Sequence, residues 1–346
     1  MMWLTWRQFR PQAIAAAAVL AVLAVVLLIS GLGMAHLYAS SGLGACHAHH
    51  DCESLASSFL RQLRSAPYGL LHSLGGAIVL LAPAVIGMFW GAPLISREIE
   101  TGTFRLAWNQ SVSRDHWILV KLGLIGLASM VAAALASLMV TWWAAPITGA
   151  EMLAGPSSPD SVTRFTPIAF GAGGVVPVGY AAFAFAFGVT AGLLVRRTVP
   201  AMAVTLAAFA LVQIAWPLWI RSHLIAPVHA VLALGRISIG MLAQGPGNAL
   251  LLHAGSTAGQ WILSSHPVNA AGHAVRQVPQ ACLGAFSGGP AAFPACLARN
   301  GIKVAVTYQP DSRYWTFQWY ETAIFLVLAA VLAGFCYWRI SRRALA

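Results

Sequence analysis

Six long apolar runs divide the chain, and each is long enough to cross a bilayer as a helix. They cover Ala13–Leu37, Leu71–Leu94, Trp117–Ala145, Pro167–Val195, Thr198–Ile220 and Phe317–Trp338. The longer ones fit a bilayer by tilting. The pattern predicts an all-α integral membrane protein with six transmembrane helices. A stretch at Leu224–Ala243 competes as a seventh. It carries Pro227, His229 and Arg236 in Gly-rich surroundings and reads as amphipathic or surface-lying. Ahead of the first run, Trp3, Trp6 and Phe9 recur at helical spacing with Arg7 and Arg10 between them. Residues 1–12 therefore read as an interfacial helix with aromatics at headgroup depth. A cleaved signal peptide is the rival. The apolar run is long for one, so an uncleaved first span is expected.

Composition reinforces this class. Apolar residues make up 59% of the chain and charged residues 8%, whereas soluble domains carry roughly a quarter charged. Mean hydropathy is +0.74. The net charge of +11 does not point to nucleic acid, because the basic residues cluster at span ends, where they set topology. With six spans both termini share one side. That side holds Arg7, Arg10, Arg97, Arg105, Arg114, Lys121, Arg196, Arg197, Arg339, Arg342 and Arg343, in short segments beside the spans. The positive-inside rule puts this side, and both termini, in the cytoplasm. A seventh span would send Arg339, Arg342 and Arg343 outside.

The outside then receives about 38–70, about 146–166 and the long region 221–316. The last is rich in Gly, Pro, Ala and His, and reads as a small extracellular domain between helices 5 and 6. The chain thus divides into an interfacial helix (1–12), spans 1–5 with a cytoplasmic segment at 95–117 (13–220), the extracellular domain (221–316), and span 6 with a basic tail (317–346). Cys46, Cys52, Cys282 and Cys296 fall outside, and Cys336 lies alone in the last span. An even external set suggests disulfides. Three pairings exist, of which the local pairs are simplest. The rival for the first pair is a metal site, because Cys46-His47-Ala48-His49-His50-Asp51-Cys52 is dense in ligands. Crowding all ligands into seven residues disfavours it, and no metal site is assigned. His36 and His72 read as interfacial; a haem-binding pair has no supporting pattern.

The most informative stretch is Gly91–Trp117. It carries Glu98, Glu100 and Asp115, three of the nine acidic residues in the chain. Thr101-Gly102-Thr103 breaks the helix after Glu100, and Phe104, Leu106 and Trp108 offer apolar contacts beside Arg105. A short amphipathic helix, a turn and a second helical piece would lie along the inner membrane surface. Docking to a cytosolic partner and a solvated loop held by weak Arg–Glu pairs fit equally well from the residues alone.

The string Arg97-Glu98-Ile99-Glu100-Thr101-Gly102-Thr103 resembles the segment after the second span of ABC-2 type transporter permeases. The longer match from Gly91 through Gln110-Ser111-Val112 to Lys121-Leu122 is similar to permease subunits common in actinobacteria. The opening Trp6-Arg7-Gln8-Phe9-Arg10 and the closing Phe317-Gln318-Trp319-Tyr320-Glu321 and Cys336-Tyr337-Trp338 fit the same group. The resemblance implies six spans with cytoplasmic termini in a bacterial, actinobacterial cell membrane. It implies a homodimer in which each copy engages a separately encoded ATPase subunit, an A2B2 complex. ATP and Mg would sit on that partner, leaving this chain without a cofactor and not itself an enzyme. No Gly-x-x-x-x-Gly-Lys-Ser/Thr loop occurs in the sequence. Residues 96–117 would be the coupling element, with Arg97, Glu98, Glu100, Thr101, Gly102, Thr103 and Arg105 carrying it. Glu98 and Glu100 would anchor it on Arg or backbone donors.

Isolated polar groups in spans mark candidate substrate paths, here Gln213 and Trp216. Trp142 and Trp143 read as an outer aromatic belt, and Gly123, Gly126, Ala128 and Gly171 as sites of close helix packing. With few charges in the spans, an apolar or amphipathic cargo fits better than an ion, and export follows from the resemblance. Two other classes compete: a membrane-anchored sensor or assembly protein using 221–316, and a metal- or haem-binding membrane enzyme.

Overall fold

The computed structural model describes residues 2–45, 52–65, 67–102, 113–153, 163–234, 239–254, 259–285 and 292–342. Among them six helices are long and apolar enough to span a membrane, and the chain is a multi-pass membrane protein. Span 1 is Thr5–Ser40, span 2 Pro67–Thr101, span 3 Arg114–Leu153, span 4 Val176–Val195, span 5 Thr198–His223 and span 6 Asp311–Arg342. Span 4 is the central post: 78% of its apolar window is buried, against 11% in span 1 and 17% in span 5. Val, Leu and Ile side chains on spans 1 and 5 point outward, as lipid-facing helices require.

Small residues set the tightest helix contact. Near Gly87 and Gly91, span 2 crosses span 4 beside Ala184, Gly188 and Gly192. A Cβ on Gly87 would stand 2.6 Å from the Ala184 carbonyl oxygen, and one on Gly91 2.5 Å from that of Phe185. A Cβ on Gly188 or Gly192 would press still closer on the carbonyls of Gly87 and Ala92. These backbones touch directly, which only glycine allows. Of the small residues expected to pack closely, Gly126 meets the Phe185 ring and Gly171 meets Leu80, and Ala128 packs half-buried in the same interior. Gly123 faces open space instead.

At the crossing, Gly87–Gly91 forms a π-helical turn, and a second one occupies Trp216–Ile220 in span 5. The Gln12 side-chain amide donates to the Phe89 carbonyl at 3.2 Å, and Phe9 meets Trp90 edge-on at 4.8 Å. The N-terminal segment is thus not set apart from span 1 by a break. Helix Met2–Ser40 runs unbroken through residues 12 and 13. Packing of Phe9 and Gln12 on span 2 holds it upright, while Trp3 and Trp6 stay exposed. At about 1.5 Å per residue it is longer than a bilayer core, so its ends project beyond the hydrocarbon.

The expected fourth run is broken. Pro167–Ala172 is a short helix, Gly173–Val175 a turn, and span 4 begins at Val176. Gly174 takes φ +67°, and a Cβ there would meet the Gln318 side chain. Gln318, fully buried in span 6, repairs the break. Its carbonyl oxygen accepts from the amides of Val175 and Val176 at 3.0 Å each, and its amide donates to the Phe170 carbonyl and the Tyr314 hydroxyl at 3.1 Å each. The start of span 1 and the end of span 6 come to one end of the bundle, where Ser341 hydrogen-bonds Asp115 and Phe9, Trp117, Leu193 and Ile340 share a core.

Region 224–309 is β-rich, which the all-α expectation did not include. A three-stranded antiparallel sheet has the order β1 (Val228–Ala233), β5 (Lys303–Gln309), β4 (Trp261–Val268). A hairpin pairs β2 (Ile239–Gln244) with β3 (Leu250–Ala254). The suspected seventh segment thus becomes strands, because Pro227 and the glycines stop it as a helix and its sheet-facing residues reach a core. That core holds Leu234, Leu252, Phe293, Leu297, Val304 and Val306. Inside it the sulfurs of Cys282 and Cys296 stand 1.99 Å apart, with Cα atoms at 5.8 Å. Cys46 and the His-rich string 47–51 lie outside the described residues.

A Cβ at Gly188 presses on backbone rather than on a movable side chain. Gly188→Ala is therefore expected to lower stability by about 1–3 kcal/mol or more through overpacking. Gly123→Ala, with nothing nearby, is expected to be neutral or to stabilise by up to about 1 kcal/mol through helix propensity. Thermal unfolding of both variants in detergent checks the contrast, and equal effects would contradict the crossing.

Candidate functional site

Two polar constellations stand at opposite ends of the bundle. The first is the root of the segment expected to couple to a partner. Ala92–Thr101 is part of the same long helix as span 2. It continues span 2 beyond the π turn and packs on spans 4 and 5. Gly102 ends it with φ +69°, its amide donating to Ile99, the left-handed cap that glycine favours.

Ile95 and Ser96 face inward and are buried; Arg97 faces out. The Ser96 hydroxyl donates to the Ala92 carbonyl at 2.8 Å and lies 3.1 Å from the Thr198 hydroxyl. Glu98 forms an ion pair with Lys121 of span 3, with side chains only 13% and 4% exposed. The Lys121 ammonium also lies 4.6 Å over the buried Trp117 ring. Glu100 accepts from the Thr198 hydroxyl at the start of span 5. Both glutamates are thus anchored, Glu98 on Lys121 and Glu100 on Thr198, whose hydroxyl and backbone amide both reach its carboxylate. Thr101 caps back to the Arg97 carbonyl at 2.8 Å. Thr103 and Arg105 lie outside the described residues.

The second constellation sits where spans 4, 5 and 6 meet the β-rich region. Arg221, Glu321 and Tyr180 are each at most 1% exposed. The guanidinium grips Glu321 with two bonds, Nε to Oε2 at 2.9 Å and Nη2 to Oε1 at 3.0 Å, and the Tyr180 hydroxyl donates to the same carboxylate. The Phe170 ring lies 3.9 Å beneath the guanidinium. Nearby, Arg164 pairs with Asp311 and stacks 4.4 Å from the Tyr314 ring. A cleft of about 750 Å³ opens beside Arg221, between the end of span 5 and β4. Gln213 and Trp216 lie on the turns of span 5 leading to it.

Trp142 is exposed. Trp143 is buried, donates to the Ser30 hydroxyl at 3.0 Å, and stacks on His72 at 6.3 Å.

A model of the family described as ABC-2 membrane transporter related matches residues 17–221, well over half of the chain. This chain belongs to that family. No curated protein and no solved structure matches it. As an ABC-2 family member it is a membrane transport subunit, and the family implies that ATP hydrolysis resides in a partner ABC ATPase subunit. The matched range begins inside span 1, takes in spans 2–4 and nearly all of span 5, and stops at Arg221. It therefore includes the whole anchored root, Glu98, Lys121 and Thr198, while the β-rich region and span 6 lie beyond it.

Sequence reading of this ABC-2 chain misses the Arg221–Glu321 pair. The signal is present: Glu321 is an acid inside an apolar run, which requires a partner. Arg221 is the cation at the end of the preceding run. Lys121 reads from the sequence only as a topology charge.

Breaking a buried pair leaves a stranded charge, whereas removing both members does not. Glu321→Leu is expected to cost about 3–5 kcal/mol. Arg221→Met combined with Glu321→Leu is expected to recover most of that. Denaturation of the single and double variants in detergent measures the difference; additive losses would contradict the pairing.

Proposed function

We propose that this chain is the permease half of an ATP-driven exporter that moves an apolar or amphipathic compound out of a bacterial, actinobacterial cell by alternating access. Two copies pair, and each engages one ATPase subunit carrying ATP and Mg. The end of the bundle where span 1 starts and span 6 ends faces the cytoplasm. Its supply of Arg7, Arg10, Arg97, Arg114, Arg196, Arg197, Arg339 and Arg342 supports this orientation. The β-rich region is then extracellular, where the oxidising environment suits a Cys282–Cys296 disulfide.

The observation that carries this reading is the Glu98–Lys121 pair at the root of the segment after span 2, in a chain of the ABC-2 family. A docking loop transmits force only if its base does not slide. The base here is tied to span 3 by an ion pair shielded from water, to span 5 by Glu100 and Thr198, and to span 4 by the glycine contact. Closure of the ATPase pair would push on residues 103–112, and spans 2–5 would turn together between inward-open and outward-open forms. The low charge of the spans supports an apolar or amphipathic cargo rather than an ion.

Glu98→Ala combined with Glu100→Ala removes both side-chain ties of the base, and Lys121→Met is added so that no buried charge is left stranded. In the reconstituted complex the triple variant is expected to reduce substrate-stimulated ATP hydrolysis and transport by at least fivefold. ATPase subunits are expected to remain bound. Unchanged coupling and transport would overturn the assignment.

A further inference from the structure

Span 5 presents three buried nitrogen donors that no described residue satisfies: Gln213 Nε2, Trp216 Nε1 and Arg221 Nη1. Buried polar groups are nearly always hydrogen-bonded, so three on one helix need a cause. Gln213 and Trp216 are one helical turn apart. From Trp216 the helix widens into the π turn, and the Arg221 amide bonds the Trp216 carbonyl. That i to i+5 bond stacks Arg221 over Trp216, so the three donors follow one another along the helix toward the cleft.

The cleft has the matching shape. Its walls are mainly apolar, from Phe165, Leu218, Ile225, Trp261, Ile262 and Leu263, with Arg221 among the lining residues. Trp261 stacks on Phe165 at 5.8 Å, so one wall belongs to the β-rich region and the other to the spans. All three orphans are donors, which calls for acceptors on the ligand. Charge decides which kind. Arg221 is already neutralised by Glu321 through two bonds, and Arg164 by Asp311. His223 also lines the cleft, with Nδ1 against the Trp219 carbonyl; an anion on Arg221 would stand beside the Glu321 carboxylate at low dielectric, a repulsion that costs more than a hydrogen bond returns.

We infer that this cleft and the donor column below it bind an amphipathic molecule with an apolar body and an uncharged acceptor head, a carbonyl, ester or ether group. Arg221 Nη1 at the cleft wall and Trp216 Nε1, which lies one π turn behind that wall and does not itself line the cleft, hold the head, and Phe165 and Trp261 cover the body. This deepens the permease reading by naming the class of cargo and a station on its route, and it rests on that reading.

The full chain in lipid nanodiscs is photolabelled with three probes that share one diazirine-bearing dodecyl chain. One has a methyl ester head, one an ionised carboxylate, and one no polar head. Mass spectrometry is expected to find the ester probe on peptides containing Leu218 or Ile262 about fivefold more than the headless probe. Trp216→Phe removes the indole N–H together with part of the ring volume and keeps an aromatic ring against Phe325. Arg221→Lys keeps a cation for Glu321. Each is expected to lower ester labelling about fivefold, the value of one hydrogen bond of about 1 kcal/mol, while leaving the headless probe unchanged. Equal labelling by ester and headless probes, or undiminished labelling in both variants, overturns the site. Preference for the carboxylate overturns the uncharged head. Co-purification of the ATPase subunit, measured in parallel, separates the two readings. Lost ester selectivity with the ATPase still bound removes the site alone. Retained selectivity without any bound ATPase removes the permease reading alone.

Discussion

Backbone touches backbone where span 2 crosses span 4, and the rest of the bundle is arranged around that contact. Inside a bilayer the hydrophobic effect does not drive helices together, since lipid is as apolar as leucine. Close van der Waals approach and weak Cα–H···O contacts must do so. Gly87 and Gly91 on one helix, and Gly188 and Gly192 on the other, remove the side chains that would keep the axes apart. Span 4 becomes the central post because of this crossing. The anchoring of Glu98 and Glu100 depends on it too, because both sit on the same helix a few turns farther along.

Polar groups then fix what close packing alone leaves free to slide. Gln318 of span 6 ties the broken entry of span 4 through three hydrogen bonds and bonds Tyr314 of its own helix with a fourth. Arg221 and Glu321 join spans 5 and 6 across the Tyr180 hydroxyl. Lys121 and Glu98 join spans 2 and 3 at the other end. In hydrocarbon each of these is costly unless fully paired, so each tolerates one arrangement and resists neighbouring ones. The result is a bundle with firm joints at both ends and apolar, adaptable contacts between.

Hydropathy makes the six spans legible, because roughly twenty consecutive apolar residues suit a membrane-crossing helix and little else. It does not reveal that Phe9 and Gln12 hold the N-terminal segment on the axis of span 1, since that depends on a neighbour far along the chain, at Phe89 and Trp90. Nor does it reveal the strands of the region after span 5. Lys303–Gln309 alternates clearly once its partners are known, but so short a strand in a Gly-, Pro- and Ala-rich stretch is faint alone. At the coupling root, Glu98 and Glu100 are legible as unusual acids in a chain poor in charge. Their partners are not, because Lys121 and Thr198 are brought there by tertiary packing. Glu321 stands out in the sequence as an acid within a span, but nothing local to it points to Arg221.

The π turn at Gly87–Gly91 adds the equivalent of one residue to a helix that otherwise advances about 100° per residue. It therefore sets the phase of everything downstream on span 2. Without the extra residue, Ala92–Thr101 would emerge rotated by about that angle. Arg97 or Ile99 would then face Lys121 where Glu98 does now. The direction in which this helix presents its acidic and basic faces is thus fixed by a single irregular turn, buried two helical turns away in the membrane. The same turn exposes the Phe89 carbonyl that Gln12 fills, so the first span acts as the lock on that phase.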